Sequence, residues 1–172
     1  QNIYRCTLIH LRDSVEILGH NSVLIRLSNM FKQDRLHHCL LFEGPTGLGK
    51  ALVARWLAQI MLCEAPIQGE LIKPCGTCFS CTAITRDEHS DLVYLNKDPT
   101  KKRAQISVSQ ARKLIASVGL MPTYGKMRVV IIPEAELLTE DASNALLKTF
   151  EEPLTPTVFI LVVSSSKYLL PT

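Results

Sequence analysis

A glycine-rich segment, GPTGLGKA, follows an apolar stretch and precedes a helix-like one. Such segments cradle phosphates, because their glycines let backbone N–H groups converge on the phosphate oxygens while the lysine reaches the terminal phosphates. A Ser or Thr after the lysine normally ligates Mg²⁺, but Ala51 stands there and offers no ligand. The sequence predicts a phosphate-binding loop (P-loop) that lacks this hydroxyl, formed by Gly44, Pro45, Thr46, Gly47, Leu48, Gly49, Lys50 and Ala51.

A second departure concerns the acidic pair that a nucleotide-hydrolysing site needs after a neighbouring strand. The apolar run RVVII leads into Pro133 and Glu134, so proline stands where a carboxylate would help to hold Mg²⁺. Because Mg²⁺ neutralises charge as the phosphate bond breaks, losing two anchors should weaken hydrolysis far more than binding. We expect impaired Mg²⁺ ligation, a vestigial Glu134 and no catalytic residue. ATP or ADP could still bind; alternatively, Lys50 holds only an anion or solvent.

Four cysteines have spacing that suits a metal ion. Three of them form CGTCFSC and a fourth precedes them, whereas Cys6 and Cys39 stand apart and are expected to be free thiols. Thiolates spaced by two residues can surround one Zn²⁺ tetrahedrally, and four thiolates close the coordination shell, as in structural sites. A redox CxxC pair and incidental cysteines are the alternatives. The predicted zinc ligands are Cys63, Cys75, Cys78 and Cys81.

Length and composition are those of an ordinary globular domain. The chain has 172 residues, of which 47% are hydrophobic and 20% charged, with a net charge of +3. This charge is too small to indicate nucleic-acid binding by itself. No segment approaches the roughly 18 apolar residues that cross a bilayer, and no signal peptide is recognisable. We therefore expect a cytoplasmic protein with no membrane partner.

Hydrophobic patterning predicts an α/β fold with a parallel sheet flanked by helices. Short apolar runs that read as buried strands alternate with segments of helical period. Ligands of such sheets bind at the carboxyl ends of the strands, where the P-loop falls. The predicted strands cover residues 39–42, 92–95, 129–132 and 158–163, and the predicted helices cover 21–35, 50–63, 107–119 and 139–153.

A short basic run, Lys101, Lys102 and Arg103, interrupts this pattern after the second strand. It is typical of a solvated loop. A nucleic-acid contact is the alternative, but no aromatic residues are interleaved for base stacking.

Three separated strings give the chain a family resemblance. Residues 18–50 resemble the segment that leads into the P-loop in the clamp-loader branch of the AAA+ ATPases, the bacterial DNA polymerase III subunits. The four clustered cysteines match a zinc module that this family inserts after the P-loop helix, here at about 63–90. The string SNALLKTFEEP, residues 143–153, is close to a family hallmark. The resemblance implies one AAA+ P-loop domain over 1–172, as a fragment of a longer chain.

Within that family, the chain looks most like the delta-prime branch, whose members often carry degraded P-loops. His89-Ser90-Asp91 stands in place of an HPD-like string typical of that branch. The resemblance implies a stator without intrinsic ATPase activity, which supports sliding-clamp loading in DNA replication. Its implied partners are the gamma/tau and delta subunits and, through the assembled complex, the sliding clamp and primer-template DNA.

Other expectations from the resemblance concern ATP use and the residues beyond Thr172. An arginine finger and a collar domain are expected there, and Ser164 or Ser165 is expected to hold the position that senses the γ-phosphate in active relatives. The alternative function is an active gamma/tau-like motor ATPase that uses Glu134. A P-loop kinase with a zinc-bearing lid is a more distant alternative, because it would not explain SNALLKTFEEP.

Overall fold

A computed structural model describes residue 17, residues 19–99 and residues 104–165. Cys6 and the basic run Lys101–Arg103 lie outside the described residues, as does the chain end. Five helices and four strands follow one another along the described chain: α1 Asn21–Lys32, β1 Cys39–Glu43, α2 Lys50–Leu62, α3 Phe79–Thr85, β2 Leu92–Tyr94, α4 Val108–Val118, β3 Arg128–Ile132, α5 Glu140–Glu151 and β4 Thr157–Val163. A 3₁₀ turn, Ala135–Leu137, separates β3 from α5.

The four strands form one parallel sheet in the order β1-β4-β3-β2. β3 and β4 are buried along their whole length. Alternate residues of these two strands face opposite sides, so Ile131 packs with α1 and α2 while Ile132 packs with α4 and α5. The predicted parallel sheet flanked by helices is therefore confirmed.

β1 differs from its predicted environment. We expected a strand buried on both faces, but none of its five residues is fully buried and Leu41 is 47% exposed. In the described part of the chain, β1 pairs only with β4 and lies at the edge of the sheet. A continuous apolar run predicts a strand, but it does not distinguish a central strand from an edge strand.

Capping residues fix the starts of α4 and α5 close to their predicted bounds. Ser107 N donates to Gln110 Oε1 at 3.0 Å at the start of α4, and Thr139 Oγ1 accepts from Ala142 N at the start of α5. Trp56 of α2 is buried in the core. α3 was not predicted, because its seven residues are too few to establish a helical period.

Candidate phosphate loop and metal centre

The predicted P-loop connects β1 to α2 at the carboxyl ends of the strands. Gly47 and Gly49 have φ values of 89° and 79°, in the left-handed region that favours glycine. Gly44 N donates to Val163 O at 3.3 Å, which fixes the start of the loop against the end of β4. The loop therefore ends at the N-terminus of α2, where unpaired N–H groups favour an anion.

Lys50 is bonded within its own loop. Its Nζ donates to Gly44 O at 2.6 Å and to Pro45 O at 2.8 Å. His20 Nε2 lies 2.5 Å from Leu48 O on the outer side of the loop. A phosphate that recruited Lys50 would have to replace two backbone acceptors. Ala51 follows as an exposed methyl group.

Glu134 follows β3 and pairs with a cation. Lys97, which follows β2, places its Nζ 3.0 Å from both Glu134 carboxylate oxygens, and both side chains are about half exposed. Parallel pairing of β2 with β3 brings these positions together. Pro133 separates Glu134 from the strand and has no side chain that could ligate a metal.

The position expected to sense a γ-phosphate is bound by a second carboxylate. Ser164 N donates to Glu136 Oε1 at 3.1 Å, and Glu136 Oε2 is buried without a hydrogen-bond partner among the described residues. Glu136 was not predicted, because no motif of the sequence singles out this position.

The four clustered cysteines converge on one point; we call them the Cys cluster. Cys63 follows the last residue of α2, Cys78 is the N-cap of α3 and Cys81 lies in its first turn. All four Sγ atoms lie within 4.8 Å of one another, and two of the pairs, Cys63–Cys78 and Cys75–Cys81, are 3.9 Å apart. A tetrahedral site with Zn–S bonds of about 2.3 Å has sulfurs about 3.8 Å apart. The Cys cluster can therefore hold a metal ion such as zinc.

Backbone N–H groups surround the sulfurs of the Cys cluster. Cys75 N donates to Cys63 Sγ, Cys78 N to Cys75 Sγ and Cys81 N to Cys78 Sγ, at 3.3 to 3.4 Å. The bond from Cys78 N is the main reason that the pKa of Cys75 falls to about 6. Burial raises the pKa of Cys63 and Cys81. A coordinated metal deprotonates such thiols outright, and four thiolates leave no open position for substrate.

Asp91 anchors the loop that leads into β3. Its fully buried carboxylate accepts the backbone N–H groups of Thr123 and Tyr124, each at 2.7 Å, and of Gly125 at 3.0 Å, and Arg128 lies 3.7 Å away. Burial alone would raise the pKa of Asp91, but these donors and the Arg128 charge lower it. Asp91 belongs to the string His89-Ser90-Asp91, which the family resemblance singled out. In the structure it anchors the loop before β3.

Comparisons with known proteins show the family to which the chain belongs. A family model described as "DNA polymerase III, delta subunit" matches residues 19–172. The chain is 33% identical to the DNA polymerase III subunit tau/gamma of Haemophilus influenzae, over 90% of the chain and 21% of the relative. It is 37% identical to the subunit delta' of Pseudomonas aeruginosa, over 78% of the chain and 40% of the relative. The chain thus spans about a fifth to two fifths of these curated relatives.

A solved structure shares the fold. A gamma subunit-related protein from Thermotoga maritima superposes with a TM-score of 0.52 at 18% identity, covering 89% of this chain and 42% of that one.

Within the described residues, no helix is both long and apolar enough to span a membrane. The match over residues 19–172 shows that the chain belongs to the DNA polymerase III delta subunit family, one of the clamp-loader families of AAA+ domains.

Proposed function

We propose that this chain acts as a stator subunit of the bacterial DNA polymerase III clamp loader, one that binds nucleotide weakly or not at all and supports sliding-clamp loading in DNA replication. The observation that carries the proposal is the ion pair between Lys97 and Glu134. A carboxylate whose two oxygens face an ammonium group is poorly placed to polarise an attacking water.

The two missing magnesium ligands support the same function. Ala51 follows Lys50, where an active nucleotide site would have an alcohol. Pro133 precedes Glu134, where it would have a carboxylate. Metal coordination supplies several kcal/mol of transition-state stabilisation in phosphoryl transfer, and about 1.4 kcal/mol is already tenfold in rate. The P-loop can still accept a phosphate through its backbone, so ADP or ATP could bind without turning over.

Zinc is the metal we propose for the Cys cluster, as a structural ion. A closed set of four thiolates matches zinc in structural sites. The metal would hold a module of residues about 63–90 inside a single domain of residues 1–172, in a cytoplasmic protein. The proposed partners are the gamma/tau and delta subunits and, through the assembled loader, the clamp and primer-template DNA.

An active motor ATPase is the second candidate, because Glu134 is retained and subunits named tau match at 33–34% identity over 90% of the chain. ATP hydrolysis by the full-length protein, with clamp and primed DNA present, separates the two. The stator function predicts no turnover above background, and no effect of Glu134→Gln. Turnover that Glu134→Gln abolishes, while the control Glu151→Gln leaves it intact, would establish the motor function instead.

A further inference from the structure

Three aromatic rings meet beside the Cys cluster; we call Phe79, His89 and Tyr124 the aromatic site. The Phe79 and Tyr124 ring centroids are 4.9 Å apart, and the His89 ring lies 6.3 Å from Phe79 and 6.2 Å from Tyr124. Phe79 comes from the first turn of α3, and Tyr124 from the loop before β3. The site therefore joins the cysteine-rich segment to the loop that leads into β3.

Two of the rings face solvent. Phe79 is 53% exposed and Tyr124 is 63% exposed, and the Tyr124 loop also exposes Leu120 and Met121. Aromatic residues and Met are enriched in protein interfaces, whose central anchors are commonly Tyr or Trp. These side chains therefore have the composition of a binding surface.

The two chain segments that carry Phe79 and Tyr124 are held in place by contacts within the chain. The Tyr124 loop is fixed by its three N–H bonds to buried Asp91, and Arg128 donates to the carbonyls of Leu120 and Met121. Phe79 lies between the metal ligands Cys78 and Cys81. Because these segments are already ordered, docking on them costs little conformational entropy.

The Nε2 atom of His89 is a buried donor that has no acceptor among the described residues. The Nδ1 atom accepts the Asp91 N–H at 3.1 Å, so the neutral ring carries its proton on Nε2. That Nε2 is buried and has no hydrogen-bond partner among the described residues, while the residue as a whole is 5% exposed. Leaving a buried donor unpaired is unfavourable, and a bound acceptor would remove this cost.

We propose that the aromatic site docks a neutral, apolar segment of another DNA polymerase III subunit, and that a backbone carbonyl of this segment accepts the His89 Nε2–H. This inference rests on the proposed role within a multi-subunit loader. The backbone on both sides of the site stays in place, and the exposed Phe79 and Tyr124 side chains rotate apart to admit the segment. Leu120 and Met121 extend the apolar contact along the Tyr124 loop.

The charge of the surroundings favours a protein segment over nucleic acid. Single-stranded DNA also stacks on aromatic rings, but its sites combine the rings with a positively charged groove. Residues 79–85 carry no charged side chain, and the exposed charges that flank the site in sequence, Arg86, Asp87, Glu88 and Lys126, sum to zero. A neutral peptide fits this composition better than a phosphate backbone.

Photo-cross-linking in the assembled loader tests the contact. The full-length chain, with p-benzoylphenylalanine in place of Tyr124 and, separately, of Phe79, is reconstituted with the other subunits and irradiated. We expect cross-links to one neighbouring subunit from both positions. Ile67 is the matched control, since it is 55% exposed in the same cysteine-rich segment and lies outside the aromatic site. Cross-links confined to the chain itself, cross-links to DNA, or equal capture from Ile67 would overturn the proposal.

Affinity measurements supply the second readout. Tyr124→Ala should weaken association with the cross-linked subunit about tenfold or more, whereas Tyr124→Phe and Ile67→Ala should leave it within about twofold. Unchanged metal content and thermal unfolding would show that the variants fold. Unaltered affinity of Tyr124→Ala in an assembling loader would refute the docking site alone. Failure of the wild-type chain to join the loader would refute the proposed function itself.

The His89 proton gives a signature specific to the hydrogen bond. In the ¹⁵N-labelled full-length chain, the Nε2–H resonance should move downfield when the partner subunit binds. A resonance that stays in place on binding would remove His89 from the contact.

Discussion

Arg55 of α2 donates to the carbonyl oxygen of Ile84 at the end of α3, at 2.7 Å. The same guanidinium pairs with Asp87 at 2.7 Å and reaches the Tyr94 hydroxyl at 3.2 Å. One side chain of the helix that starts at Lys50 thus holds the far end of the helix that carries Cys78 and Cys81. The predicted P-loop and the Cys cluster therefore lie at opposite ends of one helix, α2.

Cys78→Ser should remove the metal while preserving the start of α3. Serine is a good N-cap residue and can still accept a backbone N–H there, but it supplies no thiolate. We expect elemental analysis to find about one zinc per wild-type chain and much less in the variant, with faster amide exchange in α3. Cys39→Ser, in β1, is the control. Full retention of zinc by Cys78→Ser would contradict the assigned ligand set.

Restoring the missing magnesium ligands should restore metal-dependent nucleotide binding. We expect Ala51→Thr combined with Pro133→Asp to tighten ATP binding severalfold with Mg²⁺ present and little without it. Ala51→Val with Pro133→Asp has nearly the same shape at position 51 and lacks the hydroxyl. Calorimetric titration with and without Mg²⁺ distinguishes them. Equal affinities of the two variants would show that the hydroxyl position is not aligned for the metal.

Asp91→Asn should destabilise the domain strongly. The amide leaves Arg128 without its buried counter-charge and presents N–H groups to backbone donors. Breaking a buried pair of this kind costs about 3–5 kcal/mol, measurable as the free energy of unfolding in urea. Asp34→Asn is the control, because Asp34 is exposed with a φ of 51°, which Asn tolerates. A loss below about 1 kcal/mol for Asp91→Asn would mean that the three N–H bonds contribute little.

His89 should make stability fall as the pH is lowered. Burial lowers its pKa in the folded state, against the opposing charge of Asp91. Below the unfolded pKa of about 6.5, the unfolded chain therefore takes up a proton that the folded chain refuses. The free energy of unfolding is fully retained above that pH and decreases from there to the folded pKa, by at most about 1.4 kcal/mol per pH unit.

His89→Asn isolates this contribution, because the amide oxygen can accept the Asp91 N–H and does not titrate. Urea unfolding between pH 7.5 and 5.5 should show a shallower pH dependence in the variant than in the wild type. Parallel curves would assign the acid sensitivity to other groups.

The features predicted from sequence were those that local patterns determine. β3 and β4 consist mostly of β-branched residues, and the spacing within CGTCFSC places three of the four cysteines close together. The Lys97–Glu134 pair was not predicted, because it depends on the register Leu92↔Val129 between distant strands. The role of Asp91 as a loop anchor was missed for a similar reason: the string His89-Ser90-Asp91 does not reveal three donors more than thirty positions along the chain.

The strand order β1-β4-β3-β2 has a consequence for how this chain is made. The first strand pairs with the last, and the second pairs with the third. No strand can therefore pair until residues 128–132 have been synthesised, and β1 has no partner until residues 157–163 follow. The four sulfurs are complete once Cys81 has left the ribosome. A bound zinc ion would then hold the end of α2 against α3 before either edge strand has a partner.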